Sequence, residues 1–186
     1  MGERFSAAIL AGGRATRFGG RDKSALIVDG RTILDRQLDV LARVADEVRV
    51  IREDLAPGCG PLGGVHTALT GSRHDAVFVL ACDMPFVTSA LVGHLLSLSG
   101  GADIVVPRTE GGYHPLCAVY RRTCLDAIAR RLADRRLKMT ELFPDLRVRE
   151  VGADELEKFG DCHRLLANVN TPAEFADLAT LQGHKL

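Results

Sequence analysis

The chain lacks an excess of charge of either sign, any long apolar run and any paired arrangement of cysteines. Lys and Arg together number 24, as do Asp and Glu, so the formal net charge is zero. A general nucleic-acid or membrane-surface binder would show a basic excess. No apolar run approaches the ~20 residues that a membrane span needs. We therefore expect no nucleic acid and no membrane as partners, although the balance is compatible with a local basic pocket.

The five cysteines are odd in number and widely spaced. They form no disulfide framework and no Cys-x-x-Cys zinc knuckle, so we expect buried or incidental thiols. No signal peptide precedes the first strand-like run, and the cytoplasm is the expected compartment. No internal repeat, low-complexity tract or linker divides the 186 residues. This length predicts a single domain spanning residues 1–186.

Short apolar runs alternate with helical patterns, which predicts an α/β fold with a largely parallel sheet. The predicted strands cover residues 7–10, 48–51, 77–80, 104–106 and 116–120. Thr32 is placed to cap a helix whose apolar face carries Leu34, Leu38, Leu41 and Ala45. A second stripe comprises Leu125, Ile128, Ala129 and Leu132. Thr171-Pro172-Ala173-Glu174 is a capping box that predicts a terminal helix.

A glycine-rich, cationic segment follows the first strand, from Leu10 to Lys23. Its four glycines allow a close approach of the backbone to a ligand. Its cationic donors for phosphate oxygens are Arg14, Arg17, Arg21 and Lys23. The spacing matches neither the Walker A motif nor the Rossmann Gly-x-Gly-x-x-Gly motif. The alternative is a turn with solvated charges, but the position directly after the first strand favours a phosphate-binding loop.

Asp83 follows a strand that we expect to be apolar on both faces. Ligands of open α/β sheets bind beyond the carboxyl ends of the strands, so Asp83 should share an edge with the glycine-rich loop. Mg²⁺ is commonly held by one or two carboxylates together with substrate phosphates. The alternative is an aspartate that caps the next turn, helped by Pro85. The shared edge favours the metal site.

Three further segments are open to two interpretations each. Gly60–Gly64 offers uncovered backbone for a purine edge, or forms a tight turn before a helix near residues 65–69. Asn168 and Asn170 alternate on an extended stretch, where they can bind a polar ligand or a metal-bound water, or form local turns. His114 can be a ligand, but a lone histidine is more often structural.

Taken in order, these motifs resemble the signature of the molybdenum cofactor guanylyltransferases, a branch of the nucleotidyltransferases with a Rossmann-like sheet. The matching segments are Leu-Ala-Gly-Gly-x-x-x-Arg-Phe-Gly-Gly-x-Asp-Lys at 10–23, Gly-Pro-Leu-Gly-Gly at 60–64, Cys-Asp-Met-Pro-Phe at 82–86, His-Pro-Leu at 114–116 and Asn-Val-Asn-Thr-Pro at 168–172. The first loop alone indicates only nucleotidyl transfer, whereas the ordered set is specific to the guanylyltransferase branch. The resemblance implies a three-layer α/β fold with a mostly parallel central sheet.

The resemblance also implies a reaction, in which GMP passes from GTP to the terminal phosphate of molybdopterin or its molybdenum-loaded form, and pyrophosphate leaves. Asp83 would hold Mg²⁺, and Asp54 with the 60–64 segment would select guanine. Lys23 and Arg17 are expected to stabilise the leaving group. The expected GTP-binding residues are Leu10, Ala11, Gly12, Gly13, Lys23, Asp54, Pro61, Leu62, Gly63 and Asp83. Asn168 and Asn170 would lie on the molybdopterin side, with molybdopterin-insertion proteins and molybdoenzymes as further expected partners.

The chain departs from the family pattern between Ala45 and Asp54, where only one short strand fits. By ordinary strand and loop lengths, roughly a dozen residues are absent. The base pocket is trimmed, or the sequence as given omits a stretch. Three alternative functions therefore stay open. They are a cytidylyltransferase acting on the same pterin, a sugar-phosphate nucleotidyltransferase, which would need a longer acceptor domain, and a non-catalytic carrier of GTP or molybdopterin.

Overall fold

The computed structural model describes residues 4–12, 26–28 and 30–180. The strands are β1 (Phe5–Leu10), β2 (Ile27–Val28), β3 (Arg31–Thr32), β4 (Glu47–Ile51), β5 (Ala76–Ala81), β6 (Ile104–Thr109), β7 (Gly112–Tyr113), β8 (Cys117–Arg121) and β9 (Val148–Val151). The α-helices are α1 (Ile33–Leu41), α2 (Gly60–Gly71), α3 (Ser89–Ser97), α4 (Leu125–Ala133), α5 (Ala153–Leu156), α6 (Cys162–Leu165) and α7 (Pro172–Thr180).

Seven strands form the central sheet, in the order β4-β1-β5-β8-β6-β7, with β9 also paired to β6. Strand β1 lies parallel to both β4 and β5, and β9 lies parallel to β6. Strand β8 runs antiparallel between β5 and β6, and β7 is antiparallel to β6. Five of the seven strands thus share one direction, which confirms the mostly parallel sheet. The short β2–β3 hairpin is separate.

Helices cover both faces of the sheet, as the three-layer prediction requires. Successive side chains of a strand point to opposite faces. Ala8 and Leu10 of β1 therefore pack in a cluster with the buried sides of α2 and α4. Ala7 and Ile9 pack in a second cluster that includes residues of α1, α3, α5 and α6. The central strands are buried on both faces because each face has its own apolar layer.

The predicted helix caps are present. The Thr32 side chain accepts a hydrogen bond from the Asp35 backbone N–H (3.0 Å), which starts α1. At α7 the Thr171 hydroxyl accepts from the Glu174 N–H (3.2 Å). Glu174 accepts in turn from the Asn170 N–H (2.7 Å), one residue before the expected donor. The capping box therefore also anchors the segment that leads into the helix.

Of the two interpretations open for Gly60–Gly64, the structure excludes the tight turn, because α2 begins at Gly60 and the segment forms its first turns. The described strands and α-helices that were not predicted from the sequence are β2, β3, β7, β9, α3, α5 and α6. In the region between Ala45 and Asp54 the structure describes β4 alone, followed directly by the loop to α2. Among the described helices, none combines the length and apolar character that crossing a bilayer would need.

Candidate active site

The carboxyl ends of β1, β4 and β5 meet at one edge of the sheet. Beyond the strands, Ala11 N–H donates to Ile51 O (2.8 Å), which extends the pairing of β1 with β4. On the other side, Cys82 N–H donates to Leu10 O (3.2 Å) and extends the pairing of β1 with β5. Three of the predicted site segments, which begin at Ala11, Arg52 and Cys82, are therefore joined backbone to backbone.

Gly12 lies in close contact with the loop that follows β4. A Cβ atom at this position would stand 2.6 Å from the carbonyl oxygen of Arg52, which is inside any normal contact distance. Only glycine fits without separating the two loops. The sequence predicted a close approach of this backbone to a ligand, and the structure adds a packing reason for the same residue. Gly13, Arg17 and Lys23 lie outside the described residues.

The Asp54 carboxylate lies over the first turns of α2. Cβ atoms placed on Gly63 and Gly64 would stand 3.5 Å from its two oxygens, and the Gly64 position also meets the Leu10 side chain at 2.9 Å. Asp54 is half-buried, and this burial raises its pKa. Across the part of the chain that the structure describes, no hydrogen bond or ion pair reaches the carboxylate. Asp54 is thus a desolvated acceptor at the expected position of the base.

Helix α2 fixes the loop that carries Asp54 through one hydroxyl. Thr67 Oγ1 accepts from the Leu55 backbone N–H (2.8 Å) and donates to Gly63 O (2.9 Å). Both bonded groups are next to the Asp54 contact, one in the loop and one in the helix. Sequence reasoning did not identify Thr67, because threonine hydroxyls often bond the carbonyl four residues earlier in ordinary helices. Leu62 is fully buried, so its side chain packs in the core and is not offered to a ligand.

Asp83 lies in the turn after β5 and is bonded to the opposite end of the chain. Its carbonyl oxygen accepts a hydrogen bond from Val169 N–H (2.7 Å). Val169 is buried, whereas Asn168 and Asn170 on either side are exposed, as the predicted alternation requires. The structure therefore brings the asparagine segment to the same edge as Asp83.

An aromatic stack holds this contact in place. The rings of Phe86 and Phe175 lie 4.8 Å apart at an interplanar angle of 19°. The Arg164 guanidinium lies 4.5 Å from the centre of the Phe86 ring. Such ring and cation–ring contacts add specific attraction to the burial of the side chains. The stack fastens α6 and α7 to the segment just after Asp83.

Gln37 of α1 is hydrogen-bonded to the turn that carries Asp83. It is 2% exposed, and its Nε2 donates to Ala81 O (2.8 Å) and to Met84 O (3.0 Å). Sequence reasoning did not identify Gln37, although the helical pattern carries a signal for it. Gln37 is three residues after Leu34 and four before Leu41, so it is a polar side chain on the core-facing side of an amphipathic helix.

His114 has the features of a structural histidine. Its Nε2 lies 3.0 Å from Thr109 Oγ1, and its backbone N–H donates to Pro107 O. Burial, with a smaller effect from His163, lowers the pKa of the imidazole. The ring is therefore neutral near pH 7 and bonded within its own hairpin.

The residues at this edge fit a divalent cation held mainly by phosphates. Within the described ranges no group of three or more His, Cys, Asp or Glu side chains could form a protein-only metal site. The Asp83 carboxylate at this edge suits Mg²⁺, which takes one or two carboxylates and completes its coordination with phosphate oxygens and water.

The fold and the joined strand-end loops are those of a nucleotidyltransferase. The family model described as the MobA-like NTP transferase domain matches residues 7–145. The chain belongs to this family, and the resemblance found in the sequence is confirmed.

Known relatives and structures agree with this assignment. The chain is 34% identical over 181 residues to a molybdenum cofactor guanylyltransferase of Desulfosudis oleivorans, covering 89% of this chain and 90% of that protein. The crystal structure of molybdopterin-guanine dinucleotide biosynthesis protein A from Archaeoglobus fulgidus has a TM-score of 0.80 at 24% identity, covering 97% of this chain and all of that one. A Mycobacterium tuberculosis protein in complex with manganese has a TM-score of 0.63 at 20% identity, covering 89% and 99%. Both structures show the shared fold.

Proposed function

We propose that this nucleotidyltransferase moves GMP from GTP to the terminal phosphate of molybdopterin, or of molybdenum-loaded molybdopterin, and releases pyrophosphate within a single domain. The names of the relatives support this substrate pair. The observation that carries the proposal is the Asp54 carboxylate, which is half-buried beside Gly63 and Gly64 with a raised pKa. It is placed at the edge where a nucleotide binds to such a sheet.

Guanine offers the hydrogen-bond donors that the Asp54 carboxylate lacks within the described part of the chain. Its N1–H and N2–H groups are adjacent donors, and one carboxylate can accept both, whereas cytosine does not offer that pair. When the wrong base binds, Asp54 is left desolvated and unpaired, which costs more than the loss of a simple contact. Backbone groups of Pro61, Leu62 and Gly63 complete the base side in this proposal. Leu10, Ala11 and Gly12 line the nucleotide.

In the reaction, an oxygen of the acceptor phosphate forms a bond to the α-phosphorus of GTP. The bond from this phosphorus to the bridging oxygen breaks, and pyrophosphate leaves with the electron pair. The nucleophile is already an anion, so no strong general base is needed, and catalysis depends on alignment and charge neutralisation. Lys23 and Arg17 offset charge on the leaving group. Gly12 and Gly13 offer backbone donors.

Asp83 would hold the divalent cation, Mg²⁺ in our proposal, whose charge would offset that of the phosphates. The manganese complex of the structurally similar M. tuberculosis protein supports the use of a divalent metal. In this proposal Asn168 and Asn170 contact the acceptor. The bond from Val169 N–H to Asp83 O supports this role, because it keeps their segment next to Asp83. Asp83 thus stands between the nucleotide and the acceptor.

The decisive experiment mixes the purified protein with GTP, Mg²⁺ and molybdopterin and measures the release of pyrophosphate. We expect release that depends on all three. Turnover with CTP in place of GTP would favour the cytidylyltransferase, and turnover with a sugar phosphate in place of molybdopterin would favour the sugar-phosphate enzyme. Binding without release would favour a carrier. The cytoplasmic location, and contacts with insertion proteins and molybdoenzymes, stay predictions.

A further inference from the structure

Gln37 is the buried polar residue of α1. Its side-chain amide contacts both ends of the turn that carries Asp83. Its two donated bonds end on Ala81 O and Met84 O, the carbonyls on either side of Cys82 and Asp83. Met84 N–H also donates to Ala81 O (3.4 Å), so the four residues close a turn. The Gln37 amide links the two ends of this turn to a helix.

The chemistry of the contact requires a side chain with two hydrogen-bond donors. Both partners are carbonyl oxygens, which only accept, so the NH₂ end of the amide must face them. Gln37 Oε1 is buried and has no partner in the described part of the chain. A buried acceptor without a bond is costly. The gain that offsets this cost is the pair of bonds that the amide donates to Ala81 O and Met84 O.

Backbone hydrogen bonds fix the other sides of the turn as well. Ala81 N–H donates to Leu116 O (2.8 Å), Cys82 N–H to Leu10 O, and Asp83 O accepts from Val169 N–H. These bonds attach the turn to β1, to the residue just before β8 and to the Asn168–Asn170 segment. Gln37 provides the support from the helical layer, so its loss would release the turn on that side.

We propose that Gln37 is a positioning residue, which clamps the Ala81–Met84 turn so that the Asp83 carboxylate is held in place for a divalent cation on the triphosphate. The proposal rests on the proposed function for the role of Asp83. The clamp itself is a property of the turn and can be tested without any substrate. A group that orients a metal ligand typically changes metal affinity by about 10–100-fold when it is removed.

The test uses Gln37→Met, which keeps the length and removes both donors, and Gln37→Leu as a second apolar replacement. Ser72→Ala is the matched control, because Ser72 is also buried and its hydroxyl donates to Ala68 O (2.6 Å), before the start of β5 and away from the site edge. All variants are first compared by thermal melting. The control shows what the loss of one buried side-chain bond does by itself.

The first readout needs no metal. Cys82 lies in the clamped turn and is half-buried, whereas the other four cysteines are buried. We expect a thiol-modifying disulfide reagent to react with Cys82 several times faster in both Gln37 variants, and at the wild-type rate in Ser72→Ala. An unchanged rate in Gln37→Met and Gln37→Leu would overturn the clamp.

The second readout is Mn²⁺ binding in the presence of GTP and without acceptor, measured by electron paramagnetic resonance. We expect about tenfold weaker binding in Gln37→Met. In the Asp83→Asn background the same substitution should have little further effect, because residues that act through one group are not additive. A full additional loss there would overturn the link to Asp83. If the wild type binds no Mn²⁺ with GTP, the proposed metal role fails, and the Cys82 rate still decides the clamp.

Discussion

The two acidic residues of the site are held in very different ways. The Asp83 turn is bonded to β1, β8, the Asn168–Asn170 segment and helix α1. The loop of Asp54 leaves β4 and is bonded to α2 through the Thr67 hydroxyl, and its Leu55 side chain is 64% exposed. Chemistry at phosphorus depends on exact alignment, so rigid support suits the metal-binding role proposed for Asp83. Base selection depends on whether a buried acceptor is satisfied, which a less constrained loop can achieve.

The largest expected effect comes from the rigid side. Asp83→Asn keeps the shape and removes the charge that would hold the cation. We expect turnover to fall by at least ~10²-fold, the scale of losing one electrostatic stabiliser. Pyrophosphate release at saturating Mg²⁺ and GTP measures it. A folded variant with nearly full activity would mean that Asp83 does not hold the metal.

We expect Asp54→Ala to reduce the selectivity for guanine more than it reduces the rate of nucleotidyl transfer. With two charge-assisted bonds of roughly 1.5–3 kcal/mol each, wild-type kcat/KM for GTP should exceed that for CTP and ATP by well over ~10²-fold. The variant should lose most of this preference and still release pyrophosphate. If selectivity survives, the backbone of residues 60–64 recognises guanine unaided. A wild-type preference for CTP would instead overturn the guanylyltransferase proposal.

A smaller effect is expected from losing the hydroxyl that attaches the loop of Asp54 to α2. Thr67→Val keeps the shape of the side chain and removes the bond to Leu55 N–H. We expect the KM for GTP to rise between about twofold and tenfold at nearly constant kcat, because a net hydrogen bond contributes about 0.5–1.5 kcal/mol. Thr70→Val, at an exposed position one turn further along α2, is the control. Equal effects of the two substitutions would show that the hydroxyl of Thr67 does not position the loop.

The smallest effect on activity is expected outside both regions. Asp103 is buried, and its oxygens accept from Arg147 Nε (3.1 Å) and Nη2 (2.9 Å) and from Thr123 Oγ1 (2.7 Å). The Arg147 side-chain bonds hold the pKa of this carboxyl well below its usual range.

A depressed pKa means that the native state favours the charged form, so this stabilisation is present above the unfolded pKa of about 3.9 and is lost as pH falls below it. Asp103→Asn should flatten the loss of the free energy of unfolding below about pH 4 and leave kcat/KM unchanged at neutral pH. Denaturant unfolding at several pH values measures this. The same steep acid slope in the variant would contradict the assignment.

Much of the fold followed from local patterns. The β1, β4, β5, β6 and β8 strands and the α1, α4 and α7 helices correspond to apolar runs, amphipathic stripes and caps in the sequence. Helix α3 did not, because its residues Ser89–Ser97 are apolar on several sides and show no clear stripe. Strand β9 carries charged side chains at Arg149 and Glu150, and its conformation depends on pairing with β6.

The 60–64 segment shows where local preference fails. Glycine disfavours helix, and the sequence accordingly leaves a tight turn open there as one of two interpretations. In the structure Leu10 and Asp54 lie against Gly63 and Gly64, at distances that leave little or no room for a Cβ atom at Gly64. The glycines are needed for this packing, and the tertiary contacts make the segment helical in spite of its composition.

The sequence by itself determined the class of fold and the family, because apolar periodicity, capping residues and ordered motifs are local properties of the chain. The roles of the individual site residues stay predictions. Only the tertiary structure decided which direction β8 runs, that Val169 is bonded to Asp83, and that Gln37 and Thr67 support the two acidic residues. Those contacts join residues that are distant in the chain. For some of these residues, a local pattern also has another explanation that is equally good. Their existence depends on how the layers pack, which no window of sequence contains.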